Sequence, residues 1–175
     1  GLPLIDHAIG IAQRQSGLIA VAVRAPEQVA GRSDVTLLHD DPAVEGPLAG
    51  LASALAFARR CGAGEVLTIP CDAPRLPADL GWRLRDGLTG SHRVAMASSH
   101  GRLHPTCALW RVSVLPDLAD YRASGRASLM GLAEVAGMAT VDWGEAHPDP
   151  FVNLNTLQDL ERETRSRTRR LATVD

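Results

Sequence analysis

Apolar residues recur along the chain in two rhythms, one helical and one continuous, and the rhythm changes at short, regular intervals. Leu4, Ile5, Ala8, Ile9, Ile11 and Ala12 share a helical face behind Pro3, whose fixed φ suits a first turn, and predict a helix reaching about Gln15. Apolar runs at 18–23, 35–38 and 66–69, rich in β-branched residues, predict strands covered on both faces. Between the second and third run, Pro47 opens an alanine- and leucine-rich helix over 48–60, which ends behind Arg59 and Arg60 at Gly62, a residue suited to a left-handed stop. A short helix follows over 80–88. A strand over 94–97 leads into a turn at Gly101, and a strand over 107–110 is expected to pair near it. Two further helices, 113–123 and 128–136, are each read as starting at a serine cap, Ser113 and Ser128, and closing at Gly125 and Gly137. A short strand spans 140–143. Last, Thr156 with Asp159 resembles a capping box before a long helix carrying Arg162, Arg165, Arg167, Arg169 and Arg170.

Strand and helix alternate throughout, so the expected fold class is α/β: three α/β/α layers around a mostly parallel sheet, with ligands beyond the carboxyl ends of the strands. A chain of 175 residues with no internal repeat and no proline-rich linker is read as a single domain. The net charge of -2 is too small, and the apolar share too ordinary, for a disordered chain. No run approaches the roughly 20 apolar residues of a membrane span, and the cytoplasm is the expected compartment. Cys61, Cys71 and Cys107 show no CxxC or zinc-like spacing, and are expected to be reduced and mostly buried. All 18 basic side chains are arginine. Any phosphate held here must therefore meet arginine, metal or backbone N–H groups.

The motifs that could carry chemistry sit at predicted strand ends. Asp72, between Pro70 and Pro74 after the 66–69 strand, is placed to offer a carboxylate to a hard cation such as Mg²⁺; a turn aspartate bonded to nearby backbone N–H groups explains the same pentapeptide. Gly46, Pro47, Leu48 and Gly50 form a helix start that suits a phosphate or a carbonyl-rich base, although they also read as a capped helix with a glycine for close packing. Asp40 or Asp41 upstream would accept hydrogen bonds from a base or ribose. His104 lies in a segment read as joining two strands. Asn153 and Asn155 alternate on an extended stretch, which points both amides the same way, though Asn155 also suits a helix start. His100 with His104 lacks a third ligand and is not read as a metal pair. Cys71 has no neighbouring base in sequence and is not read as a nucleophile. The arginine-rich last helix is interleaved with Glu161 and Glu163 and is read as a solvated face, with no nucleic-acid partner.

In order and spacing, GPLAGL, PCDAPRLPADL, HPTCALW and FVNLNTLQDLE resemble the successive blocks of the molybdenum cofactor guanylyltransferases, over nearly the whole chain. The resemblance implies a Rossmann-like nucleotidyltransferase fold and Mg²⁺-dependent transfer of GMP from GTP to molybdopterin, with pyrophosphate leaving. It implies Mg²⁺ at Asp72, a guanine pocket lined by Asp40, Gly46, Pro47, Leu48 and Gly50, and His104, Arg126, Asn153 and Asn155 toward the pterin substrate or the metal. It also implies other cofactor-biosynthesis or molybdoenzyme-maturation proteins as partners. The family's first strand and glycine-rich loop have no counterpart here and are expected upstream of Gly1. Ala22 and Arg24 stand where the family often has asparagines for base recognition, which keeps a cytidylyl or sugar-phosphate transferase as the alternative, and a non-catalytic pterin- or nucleotide-binding relative as another.

Overall fold

The computed structural model describes residues 3–23, 29, 35–39 and 46–154. Asp40, Asp41, Arg24, Asn155, the Thr156 capping box and the arginine-rich helix lie outside the described residues. In chain order the elements are α1 (Leu4–Gln15), β1 (Ala20–Val23), β2 (Thr36–His39), α2 (Pro47–Arg60), β3 (Glu65–Thr68), α3 (Leu80–Gly87), β4 (Val94–Ser99), β5 (Arg102–Arg111), α4 (Leu115–Ala123), α5 (Leu129–Ala136) and β6 (Met138–Asp142).

The larger sheet has the order β3-β5-β4-β6, and β1 pairs with β2 in a parallel pair. Strands β3, β4 and β6 run one way, while β5 runs against both of its neighbours. The reversal follows from the turn. Between the paired residues Ser99 and Arg102 lie only His100 and Gly101, both at positive φ (48° and 68°), which is the geometry of a two-residue hairpin loop. A parallel return would need a crossover of a dozen or more residues.

Side-chain alternation along the central strands builds the three layers. Val94, Met96, Ala108 and Trp110 point to one face, where they meet Leu48, Leu51 and Leu55 of α2, Leu118 and Tyr121 of α4, and Leu132 and Ala136 of α5. On the other face, Ala95, Ala97, Cys107 and Leu109 pack against Ile11 of α1, Leu80 and Leu84 of α3, and Phe151. Helix α2 ends as its sequence suggests: Gly62 at φ 73° lets Ala63 N–H reach Ala58 O and Gly62 N–H reach Arg59 O, satisfying carbonyls of the last turn. Ser128 caps α5 by accepting from Gly131 N–H at 3.3 Å.

Three expectations need correction. Ser113 caps nothing: a 3-10 turn (Val112–Val114) precedes α4, whose first turn holds Pro116. Proline has no N–H to satisfy there, so the helix starts without a side-chain cap. His104, Pro105 and Thr106 do not join two strands but lie within β5, which is ten residues long. Of the cysteines only Cys107 is buried, because Cys61 and Cys71 follow the ends of α2 and β3 where the chain returns to solvent.

Arg93 ties the start of β4 to the helical layer. Its Nη2 donates to Asp117 Oδ1 at 2.9 Å, and its Nε donates to Ala136 O at 3.0 Å. The hydrogen bond from Arg93 holds the Asp117 carboxyl below the usual carboxylate range. A depressed carboxylate contributes stability above its unfolded pKa and loses it as pH falls through the folded value. The urea midpoint should therefore fall on acidification, and more gradually in Asp117→Asn. Arg93→Ala should cost about 1–3 kcal/mol in urea denaturation, since hydrogen bonds to a charged group are lost.

The two sheets do not join among the described residues. Between β1 and β3 lies a cavity of about 330 Å³, lined by Ala20 and Ala22 on one side and by Val66, Leu67, Thr68 and Ile69 on the other. A second cavity of about 440 Å³, against α1, shares Ala12, Ile19, Ala20, Ala22 and Ile69 with the first. Together they form a largely apolar slot between two strand edges. No helix among the described residues is long and apolar enough to cross a membrane.

Candidate active site

The turn after β3 is fixed from below. Ala73 and Leu76 are buried in the core shared with α1 and α3, which holds the chain down and leaves Asp72 half-buried at the rim. The Asp72 carbonyl accepts a hydrogen bond from Leu154 N–H at 2.8 Å. That single bond joins the aspartate turn to the amide-bearing segment. Asn153, exposed and adjacent to Leu154, is thereby brought beside Asp72, and buried Phe151 anchors the same segment on the core.

Helix α2 presents its N-terminus to the same side. Gly46 precedes it at φ 74°, Pro47 fills its first turn, and among the described residues no side chain caps it. Gly50 lines one end of the 330 Å³ cavity with Leu38, Ile69 and Pro70, while Phe57, Ala58, Ala63 and Glu65 line the other, so the space runs the length of β3 and reaches the start of α2 at its carboxyl end. Leu48 is fully buried in the core, which leaves its backbone as the group it would offer a ligand. Ser53, not singled out by the sequence, ties β2 to α2 by donating to His39 O at 3.0 Å, and so fixes the chain directly before Asp40. No contact of Gly46 obstructs a Cβ, so the cost of Gly46→Ala is conformational: about 1–2 kcal/mol for a left-handed alanine, read as a lower urea midpoint.

His104 stands at an irregularity in β5, where the register steps from Met96 opposite Ala108 to Ala97 opposite His104. Its Nε2 is 2.8 Å from Ser99 Oγ, and Ser99 Oγ donates to Asp149 Oδ1 at 2.9 Å. The imidazole stacks on the Phe151 ring at 4.6 Å, so it packs against the segment that reaches Asp72. Burial lowers the His104 pKa against the opposing pull of Asp149, favouring the neutral ring. Arg126 lies apart, between α4 and α5, with its guanidinium 4.3 Å over the Tyr121 ring and its Nε donating to Ser124 Oγ at 2.8 Å. Leu129, three residues on, reaches the cavity.

Among the described residues no group of three or more His, Cys, Asp or Glu side chains gathers as a metal cage. What the arrangement offers is a rim carboxylate after β3 and a helix start that no described side chain caps, placed beyond carboxyl ends of strands, the usual ligand position in open α/β sheets. The profile of the MobA-like NTP transferase domain matches residues 1–137.

The chain belongs to the MobA-like NTP transferase family.

It is 39% identical over 163 residues to a protein of Cereibacter sphaeroides named molybdenum cofactor guanylyltransferase, a match that covers 93% of this chain and 81% of that one. Two solved structures show the same fold. Molybdopterin-guanine dinucleotide biosynthesis protein A from Archaeoglobus fulgidus superposes with a TM-score of 0.67 at 18% identity, covering 91% of this chain and 85% of that one. A 2-C-methyl-D-erythritol 4-phosphate cytidylyltransferase from Thermus thermophilus superposes with a TM-score of 0.65 at 16% identity, covering 94% and 89%. This family member is thus an enzyme of nucleotidyl transfer with the Rossmann-like fold of such transferases. Nucleotidyl transfer asks a protein mainly for positioning and charge neutralisation rather than for a covalent nucleophile.

Proposed function

We propose that this transferase moves GMP from GTP to the terminal phosphate of molybdopterin and releases pyrophosphate. The observation that carries the reading is the hydrogen bond from Leu154 N–H to the Asp72 carbonyl, which puts the turn bearing the rim aspartate beside the Asn153 segment. In this reading Asp72 holds Mg²⁺, while Gly46, Pro47, Leu48 and Gly50, with Asp40, receive the guanine. His104, Arg126, Asn153 and Asn155 receive the pterin substrate. A half-buried single carboxylate fits the metal, because Mg²⁺ keeps several waters and is usually bound by one or two carboxylates plus substrate phosphates. When bound, the ion would neutralise charge on the triphosphate. The chain's own groups would do the rest: the open N-terminus of α2 offers N–H groups and a favourable dipole, and the turn between Pro70 and Ala73 keeps the carboxylate in one place.

Part of the same proposal is that a strand and glycine-rich turn occupy the slot between β1 and β3. Its support is the pair of strand edges that share one apolar space. Such edges are stabilised by a further strand.

Thermal shift with Mg²⁺ and single nucleotides tests the base. A nucleotide at one hundred times its dissociation constant stabilises by about 2.7 kcal/mol, and the expected responder is GTP. A response to CTP with none to GTP would reject the guanine assignment and favour a cytidylyltransferase. That second reading draws on Ala22 and Arg24, which stand where the resembled family often has asparagines for base recognition.

A further inference from the structure

The group around His104 is not arranged as a nucleophilic triad. In such a triad the histidine sits between serine and acid and takes the serine proton. Here the serine sits in the middle, fully buried, and its only proton goes to Asp149. A carboxylate accepts and does not donate, so Ser99 Oγ must accept its other bond, and the donor is His104 Nε2–H. The direction of the chain is thereby set. Asp149 is secured as the terminal acceptor: burial acts to raise its pKa, but hydrogen bonds from Phe151 N–H at 3.0 Å and from Ser99 bring it below the usual carboxylate range. Phe151, stacked on the imidazole and held at its edge by Trp143 at 5.2 Å, fixes the ring plane.

We propose that Ser99 and Asp149 are positioning residues that lock His104 as the Nε2–H tautomer, so that Nδ1 is presented as a neutral hydrogen-bond acceptor to the acceptor substrate. The inference rests on the reading above that His104 faces this substrate. It deepens that reading by naming the chemistry recognised: a heterocyclic N–H or a hydroxyl, not an anionic phosphate oxygen, which could only accept. The serine and the acid act at a distance from the substrate, through the tautomer alone.

The experiment is long-range ¹H–¹⁵N correlation of the histidine rings in the full chain, with His104 assigned by its loss in His104→Gln. The parent protein is expected to show the Nε2–H pattern. In Asp149→Ala the serine proton is released and can turn toward Nε2, so the Nδ1–H form should gain population. In Asp149→Asn the amide oxygen still accepts from Ser99, and the Nε2–H pattern should return. With molybdopterin as acceptor, Asp149→Ala should raise its KM about tenfold, the worth of one hydrogen bond, and leave the KM for GTP unchanged. An Nδ1–H ring in the folded parent protein overturns the proposal before any variant is made. So does an Asp149→Ala protein that keeps both the tautomer and the molybdopterin KM. A chain that shows the expected tautomers and the Asn rescue, yet transfers no nucleotide to molybdopterin, upholds the positioning and counts against the substrate reading instead.

Discussion

Asp72→Asn is expected to lower turnover by at least about a hundredfold, on the scale of removing one preorganised electrostatic contact, while the urea midpoint stays within about 0.5 kcal/mol of the parent. The two effects separate because the aspartate enters the fold through its backbone. Its carbonyl holds Leu154 N–H, and asparagine keeps that carbonyl. The turn itself is fixed by buried Ala73 and Leu76, which the substitution does not touch. Only the carboxylate charge is lost, and with it the proposed grip on Mg²⁺. Raising the Mg²⁺ concentration should recover part of the activity if weakened metal binding is the cause. Unaltered turnover in a purified, folded Asp72→Asn protein would remove Asp72 from the mechanism.

Trp110→Ala is expected to cost about 3–5 kcal/mol, enough to unfold much of a marginal domain at physiological temperature. Trp110 is fully buried near the carboxyl end of β5, where it packs among α2, α4 and α5. Its Nε1–H also donates to Thr68 Oγ1 at 3.2 Å, and Thr68 donates in turn to Ala108 O at 3.1 Å, so one side chain joins the helical layer to β3. Trp110→Phe retains the bulk of the ring and forfeits that hydrogen bond, for about 1 kcal/mol. Because β3 leads directly to Pro70 and Asp72, loosening of this contact should lower nucleotide affinity at temperatures where Trp110→Ala is still folded. Equal urea midpoints for Trp110→Ala and the parent would contradict the packing described here.

Much of the fold was legible because the signals are local. The helix over 48–60, its stop at Gly62 and the cap at Ser128 depend on residues within one or two turns, and all three stand in the structure. Ser113 was misread for the same reason: a serine before an apolar run resembles a cap, but Pro116 already relieves the first turn. Strand β5 was read four residues long, 107–110, because Pro105 interrupts its pattern; pairing with β4 carries the extended chain on from Arg102 regardless.

The candidate site divides along the same line. Asp72, His104 and Asn153 were each visible as polar residues beside apolar runs. That the Asp72 turn and the Asn153 segment lie side by side was not, because the bond between Leu154 N–H and the Asp72 carbonyl joins residues far apart in the chain. Ser99 and Asp149 carried no signal of their own. Ser99 is one of two adjacent serines after an apolar run, and Asp149 is an acid between two prolines.

The sequence alone determined the alternation of strands and helices, the stops at positive-φ glycines and the resemblance to one transferase family, since periodicity and turn chemistry are set by neighbours in the chain. Tertiary structure decided the reversal of β5, the slot between β1 and β3, and the chain of hydrogen bonds from His104 through Ser99 to Asp149. Those features depend on which distant segments the buried faces bring together, and a side chain's partner across a sheet is fixed by packing rather than by its own position in the sequence.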